Sequence, residues 1–233
     1  MRSWIHSVKP LGDFNALKAP AADTGAEPAL PPLLEALSDT SGDSSGPLAR
    51  VLALLFEASP ALYDTLVPAV AAHLRSPAPP VLSYYALIDA ALAALAPLPD
   101  ATKAAFVAGH PRIGEVGGLS ALSAREQAAR ATPPAVLVRL AHLNACYERV
   151  YPGLVYITFV NGRSRAEVKD EMEDKLGLEH TESVDEPPVE SLASVEVGGV
   201  EWKRELERAV VDVGRIAKSR LRTLGAEEEK GET

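Results

Sequence analysis

One run in this 233-residue chain reads as a β-strand, LVYITFV at 154–160, and it bounds the fold more tightly than any other feature. A short stretch of β-branched and aromatic residues favours extended backbone. A single strand makes no sheet, because its ladder N–H and C=O groups would find no partner. The run is therefore expected as an extended segment packed among helices. The fold class that follows is all-α, a single-domain bundle of about eight helices. Composition agrees: 47% of residues are hydrophobic but only 5% are aromatic, so Ala and Leu do most of the packing, and both favour helix.

Helical periodicity and its breakers divide the chain. Leu48, Val51, Leu52, Leu55 and Phe56 recur at helical spacing, which predicts a helix to about Ala58. Ser59-Pro60 reads as a cap with Pro at the first helical position, restarting a helix to about Leu74. Further helices are predicted over 82–96, with Leu87, Ala91 and Leu95 on one face, and from an Asp100 cap to about Val107. Residues 109–122, GHPRIGEVGGLSAL, read as a loop. Ser123 and Glu126 have the S-x-x-E form of a capping box, so a helix is expected to start there. Pro133-Pro134 opens a helix to about Val150, Ser164 one to Leu176 with Gly177 as its C-cap, and Trp202 a last long helix to Leu224. The expected organisation is an N-terminal segment with loops (1–47), a helical domain (48–224) carrying an acidic surface insertion with little order (178–200), and a charged tail (225–233).

Several function classes are disfavoured. The net charge of −9 opposes binding to phosphate backbones, so no nucleic-acid partner is expected. The longest apolar stretch, 84–98, is broken by Asp89 and Pro97 and is too short to span a bilayer, so no membrane partner is expected either. The lone Cys146 fits a reducing compartment and reads as a small buried hydrophobe. The N-terminus lacks the apolar run of a secretory signal, and the C-terminus, EEEKGET, lacks the SKL-type address of a peroxisomal protein, so the cytoplasm is expected. No two histidines stand four apart, and Gly114, Gly117 and Gly118 follow no strand; neither a metal site nor a dinucleotide loop is expected.

The chemistry concentrates in residues 110–127, HPRIGEVGGLSALSAREQ. His110 sits in a Gly/Pro-rich loop, where it is expected to be exposed and aimable. Ser123, Glu126 and Gln127 follow at a helix start, whose free N–H groups favour anions. If the loop folds back, the Glu126 carboxylate beside the imidazole favours its protonated form and makes a proton-transfer pair. Glu126 as a mere capping partner and His110 as an ordinary loop residue stay open on spacing alone.

HPRIGE followed by Ser123-Ala124-Arg125-Glu126-Gln127 resembles the signature of the 2-oxo-4-hydroxy-4-carboxy-5-ureidoimidazoline (OHCU) decarboxylases. Four more segments resemble that family in the family's order: Leu55-Phe56-Glu57-Ala58-Ser59-Pro60, Leu143-Asn144 with Tyr147, Tyr156 to Ser164, and Ile216-Ala217-Lys218-Ser219-Arg220-Leu221. The resemblance spans roughly 48–224 and implies an all-helical enzyme without a cofactor, acting on a small ureide and completing the conversion of urate to (S)-allantoin. It implies His110 as the catalytic acid/base and Glu126 as the group that tunes it and holds substrate. It further implies binding roles for Pro111, Ser123, Gln127 and Arg220, and for the backbone of Tyr156, Ile157, Thr158, Phe159 and Val160. A homodimer is implied as well. A non-catalytic binding protein on the same scaffold is the alternative reading.

Overall fold

Helix periodicity places the elements, and the last helix ties them together. The computed structural model describes residues 29–76, 79–115, 117, 119–128, 132–181 and 183–226; of residues 125–128 it describes the backbone alone. In chain order these residues form α1 (Leu33–Ser38), α2 (Pro47–Phe56), a π-helical turn (Leu62–Leu66) running into α3 (Val67–Arg75), α4 (Tyr84–Leu95) and α5 (Asp100–Val107). After a loop come α6 (Ala121–Ala128), α7 (Pro134–Val150), α8 (Arg165–Leu176), a 3-10 turn (Val189–Ser191) and α9 (Val200–Thr223). There is no strand among the described residues, and nine α-helices make an all-α single domain. Among the described residues no helix is long and apolar enough to cross a membrane.

Helix α9 buries Trp202, Leu206, Ala209, Val213, Ala217 and Leu221, a stripe at three- and four-residue steps. That stripe packs on α2, α4 and α5. Gly214 lets α4 approach closely: a Cβ there would lie 2.7 Å from the Leu92 side chain. The faces read from sequence on α2 (Leu48, Val51, Leu52, Leu55, Phe56) and α4 (Leu87, Ala91, Leu95) are all buried in the same core. Each such Leu or Phe contributes about 1.5–3 kcal/mol by leaving water.

Local signals set most helix ends. Ser83 accepts from the Ala86 N–H at the start of α4. Ser164 and Glu167 form a reciprocal capping box on α8, and Gly177 closes it in the left-handed conformation. Ser59 Oγ accepts from the Leu62 N–H, as the Ser-Pro start predicts. The following turns widen to π geometry, just before Pro68, which has no N–H and would crowd the carbonyl four residues back. Asp100 is not the cap of α5 but its first residue, paired with Lys103 at 2.9 Å; Pro99 occupies the cap.

Residues 154–160 are extended and joined to no ladder, as expected. The expectation of little order in 178–200 is corrected for the described part of that segment. The buried Arg139 guanidinium needs acceptors; it reaches the Glu173 carboxylate at 2.8 Å and the Glu186 carbonyl. His142 Nε2 donates to the Pro187 carbonyl at 2.9 Å, and the Val195 N–H to the Val150 carbonyl at 2.9 Å. The segment lies on the surface, but α7 holds its backbone.

Candidate active site

Where α2 ends, Glu57 takes up φ +67°, a left-handed conformation that L side chains rarely adopt. This turn carries a carboxylate inward, and Glu57 is only 7% exposed. Arg220, near the end of α9 and 2% exposed, donates through Nη2 to Glu57 Oε1 at 2.6 Å, and through Nη1 to the Leu55 carbonyl at 3.3 Å. Ser123 donates to the same Glu57 oxygen and accepts from Arg220 Nη2 at 2.9 Å. Ser120 Oγ donates to Glu57 Oε1 at 2.9 Å. Burial pushes the Glu57 carboxyl up, but the Arg220 guanidinium and the two serine hydroxyls outweigh it and hold it below the usual carboxylate range.

The expected role of Ser123 as a helix cap is corrected. Helix α6 begins two residues earlier, at Ala121, and Ser120 Oγ accepts from the Ser123 N–H at 3.1 Å. Ser120 is the cap, which frees the Ser123 hydroxyl for Glu57 and Arg220. Glu126 therefore does not occupy the capping-box position.

His110 follows α5 after Gly109, whose bare α-carbon packs on Ser59: a Cβ there would meet Ser59 Oγ at 2.6 Å. The expected exposure of His110 is corrected. It is 6% exposed, edge-on to Phe106, with Nδ1 3.3 Å from the Val107 carbonyl. Nε2 has no partner among the described residues. Burial, then the nearby Arg220 cation, push its pKa down from 6.5 to about 4, with Glu57 opposing. The imidazole is thus neutral near pH 7, opposite to the protonated form expected from spacing. A neutral ring whose Nδ1 faces a carbonyl carries its proton on Nδ1, leaving a lone pair on Nε2.

A cavity of about 440 Å³ opens beside these groups, within the range of small-molecule pockets. It is lined by His110, Pro111, Ser123, all of Tyr156–Val160 and Arg220. Every candidate residue whose side chain is described therefore faces one space, though the residues come from distant parts of the chain. Glu126 and Gln127 lie on α6, but their side chains fall outside the described residues. The extended segment does not offer all its backbone, as had been expected. Arg208 takes the Ile157 carbonyl at 2.8 Å, and Arg163 takes those of Phe159 (2.6 Å) and Val160 (3.0 Å). With those three carbonyls taken, the segment's other backbone groups are what it can present to a ligand.

Sequence reasoning missed Glu57 as a site residue. Its signal lay in the F-E-x-S-P segment, just past the end of a helix, but nothing in the spacing shows that the chain turns inward there. Among the described residues one cluster has metal-ligand chemistry, Asp170, Glu173 and His180, and none of it lines the cavity. Its buried member, Glu173, already accepts from Arg139 and Lys169.

No curated protein matches the chain. Residues 44–186 match the family model described as OHCU decarboxylase, from just before α2 to beyond α8. Helix α9, with Arg220, lies past the matched stretch yet completes the same cavity. The match covers more than half of the chain, and the chain belongs to the OHCU decarboxylase family, carboxy-lyases of urate degradation.

Proposed function

We propose that this protein converts 2-oxo-4-hydroxy-4-carboxy-5-ureidoimidazoline to (S)-allantoin, with His110 moving the proton that fixes the product's configuration. The observation that carries this reading is a buried neutral imidazole, locked at Nδ1, in the wall of a cavity that also holds a buried arginine.

The substrate's chemistry suits those groups. Its C4 carries a hydroxyl and a carboxylate, and the adjacent C5 is double-bonded to a ring nitrogen. When the C4–carboxylate bond breaks, CO2 leaves and the electron pair forms C4=C5. The former C=N pair moves to the ring nitrogen, which takes a proton from solvent, the one proton the overall reaction consumes. The substrate's own C=N is the electron sink, so the reading requires no cofactor. The resulting enol must then lose its O–H proton and gain one at C5. His110 Nε2, a base at neutral pH, accepts the enol proton and returns it to one face of C5, with no net change in its own charge. In this reading Arg220 and the amides of the 156–160 segment, which line the cavity, meet the oxygens on which charge gathers, and fixed donors of this kind lower the barrier without reorganising. Ser123, whose O–H goes to Glu57, meets substrate through its oxygen. Glu126 and Gln127, on α6 next to Ser123, are assigned the ureido group and the orientation of substrate, and Pro111 the wall beside His110.

The test generates the substrate in place from urate with urate oxidase and hydroxyisourate hydrolase, and follows optically active allantoin by circular dichroism. A rapid (S)-allantoin signal is expected, lost in His110→Ala at unchanged helical content. A wild-type trace no faster than the protein-free control overturns the reading and leaves a binding protein on this scaffold.

A further inference from the structure

Glu57 does not line the cavity, yet two residues that do, Ser123 and Arg220, hydrogen-bond to one of its oxygens, and Ser120 adds a third bond. Its backbone is held in a conformation that costs about 1–3 kcal/mol for a residue with a side chain, a cost that persists only where the surroundings enforce it. A glycine would take the same turn without strain. The side chain is therefore the reason to look for a role. Without Glu57, the Arg220 guanidinium would lose the carboxylate it holds at 2.6 Å. Such a cation binds a carboxylate strongly, and equally strongly before the carbon–carbon bond begins to break, which lowers KM without raising kcat.

We propose that Glu57 is a positioning residue that sets the charge of this cavity: it orients Arg220 and Ser123 and tempers Arg220, so that an anionic ureide is held without being trapped as its carboxylate. This rests on the function proposed above. The reaction turns an anion into a neutral product and CO2, and pairing Arg220, one of three arginines that line the cavity, with Glu57 favours that change. The hydroxyl of Ser123, a donor to Glu57 and an acceptor from Arg220, relays the position of one to the other.

Two variants separate charge from geometry. Glu57→Gln keeps the shape and one acceptor oxygen but removes the charge. Titration calorimetry with a carboxylate-bearing ureide, allantoate, is expected to show binding tighter by about tenfold, while neutral (S)-allantoin binds as to wild type. In turnover the same variant shows a lower KM and a lower kcat. Glu57→Asp keeps the charge but shortens the reach. Its allantoate affinity should stay within about twofold of wild type while kcat falls by about tenfold or more, because misplaced groups cost rate before they cost binding. Equal gains for both ligands in Glu57→Gln, or no gain, overturn the charge role. Wild-type kcat in Glu57→Asp overturns the positioning role, and decides the matter if Glu57→Gln does not fold. A wild-type protein that fails to decarboxylate but shows the allantoate preference in Glu57→Gln refutes the reaction and leaves the charge-setting role standing.

Discussion

Burial of a neutral imidazole makes stability depend on pH in a calculable way. His110 is 6% exposed and its pKa is pushed from 6.5 down to about 4. Between those values the unfolded chain binds a proton at this side chain and the folded protein does not, so stability rises with pH across the window. The contribution is fully present above about pH 6.5 and is lost as pH falls through about 4. Worked from the two pKa values, the loss is about 2 kcal/mol at pH 5 and about 3 kcal/mol at pH 4, relative to neutral pH. The group is almost wholly removed from water, so no large discount for solvent screening applies. Urea unfolding followed by far-ultraviolet circular dichroism at pH 8, 6, 5 and 4 measures it, in wild type and in His110→Gln. Carboxylates also titrate in this range, so the quantity to read is the difference in slope between the two proteins. The variant is expected to lose less stability than wild type by the amounts above. Parallel curves would refute the reasoning, as would an imidazole titration near 6.5 by nuclear magnetic resonance in the folded protein.

Two further substitutions test the supports of the site. Gly109→Ala places a Cβ 2.6 Å from Ser59 Oγ and should cost about 1–3 kcal/mol while displacing His110, so melting temperature and turnover fall together; wild-type values for both would show that this approach is not tight. Arg208→Met removes the clamp on the Ile157 carbonyl and two bonds to the buried Glu205, which keeps Lys175 and Tyr147. A loss of about 3 kcal/mol in denaturant unfolding is expected, and a loss well under 1 kcal/mol would mean the remaining partners suffice.

The chain alone determined whatever depends on near neighbours in sequence. Helix boundaries at Ser83, Ser164 and Gly177 follow from side chains bonding to backbone three residues away, or from one residue's freedom to turn left-handed. The buried faces of α2 and α4 follow from spacing, and the lack of a sheet follows from having a single strand-like run. The ordered motifs also pointed to the family before any geometry was known. Tertiary structure decided the electrostatics. Ser120 rather than Ser123 caps α6, because the Ser123 hydroxyl is drawn to Glu57 and Arg220, one 66 residues before it and the other 97 after. His110, in a polar, glycine-rich loop, reads as exposed, yet packing against Phe106 and the tight approach of Gly109 to Ser59 bury it. Its charge state reversed for the same reason: desolvation and the cation of α9 act through space, and no local pattern encodes them. Glu57 shows the limit most plainly. One residue past a helix looks like any exposed carboxylate, and only the return of the last helix makes it the centre of a buried cluster.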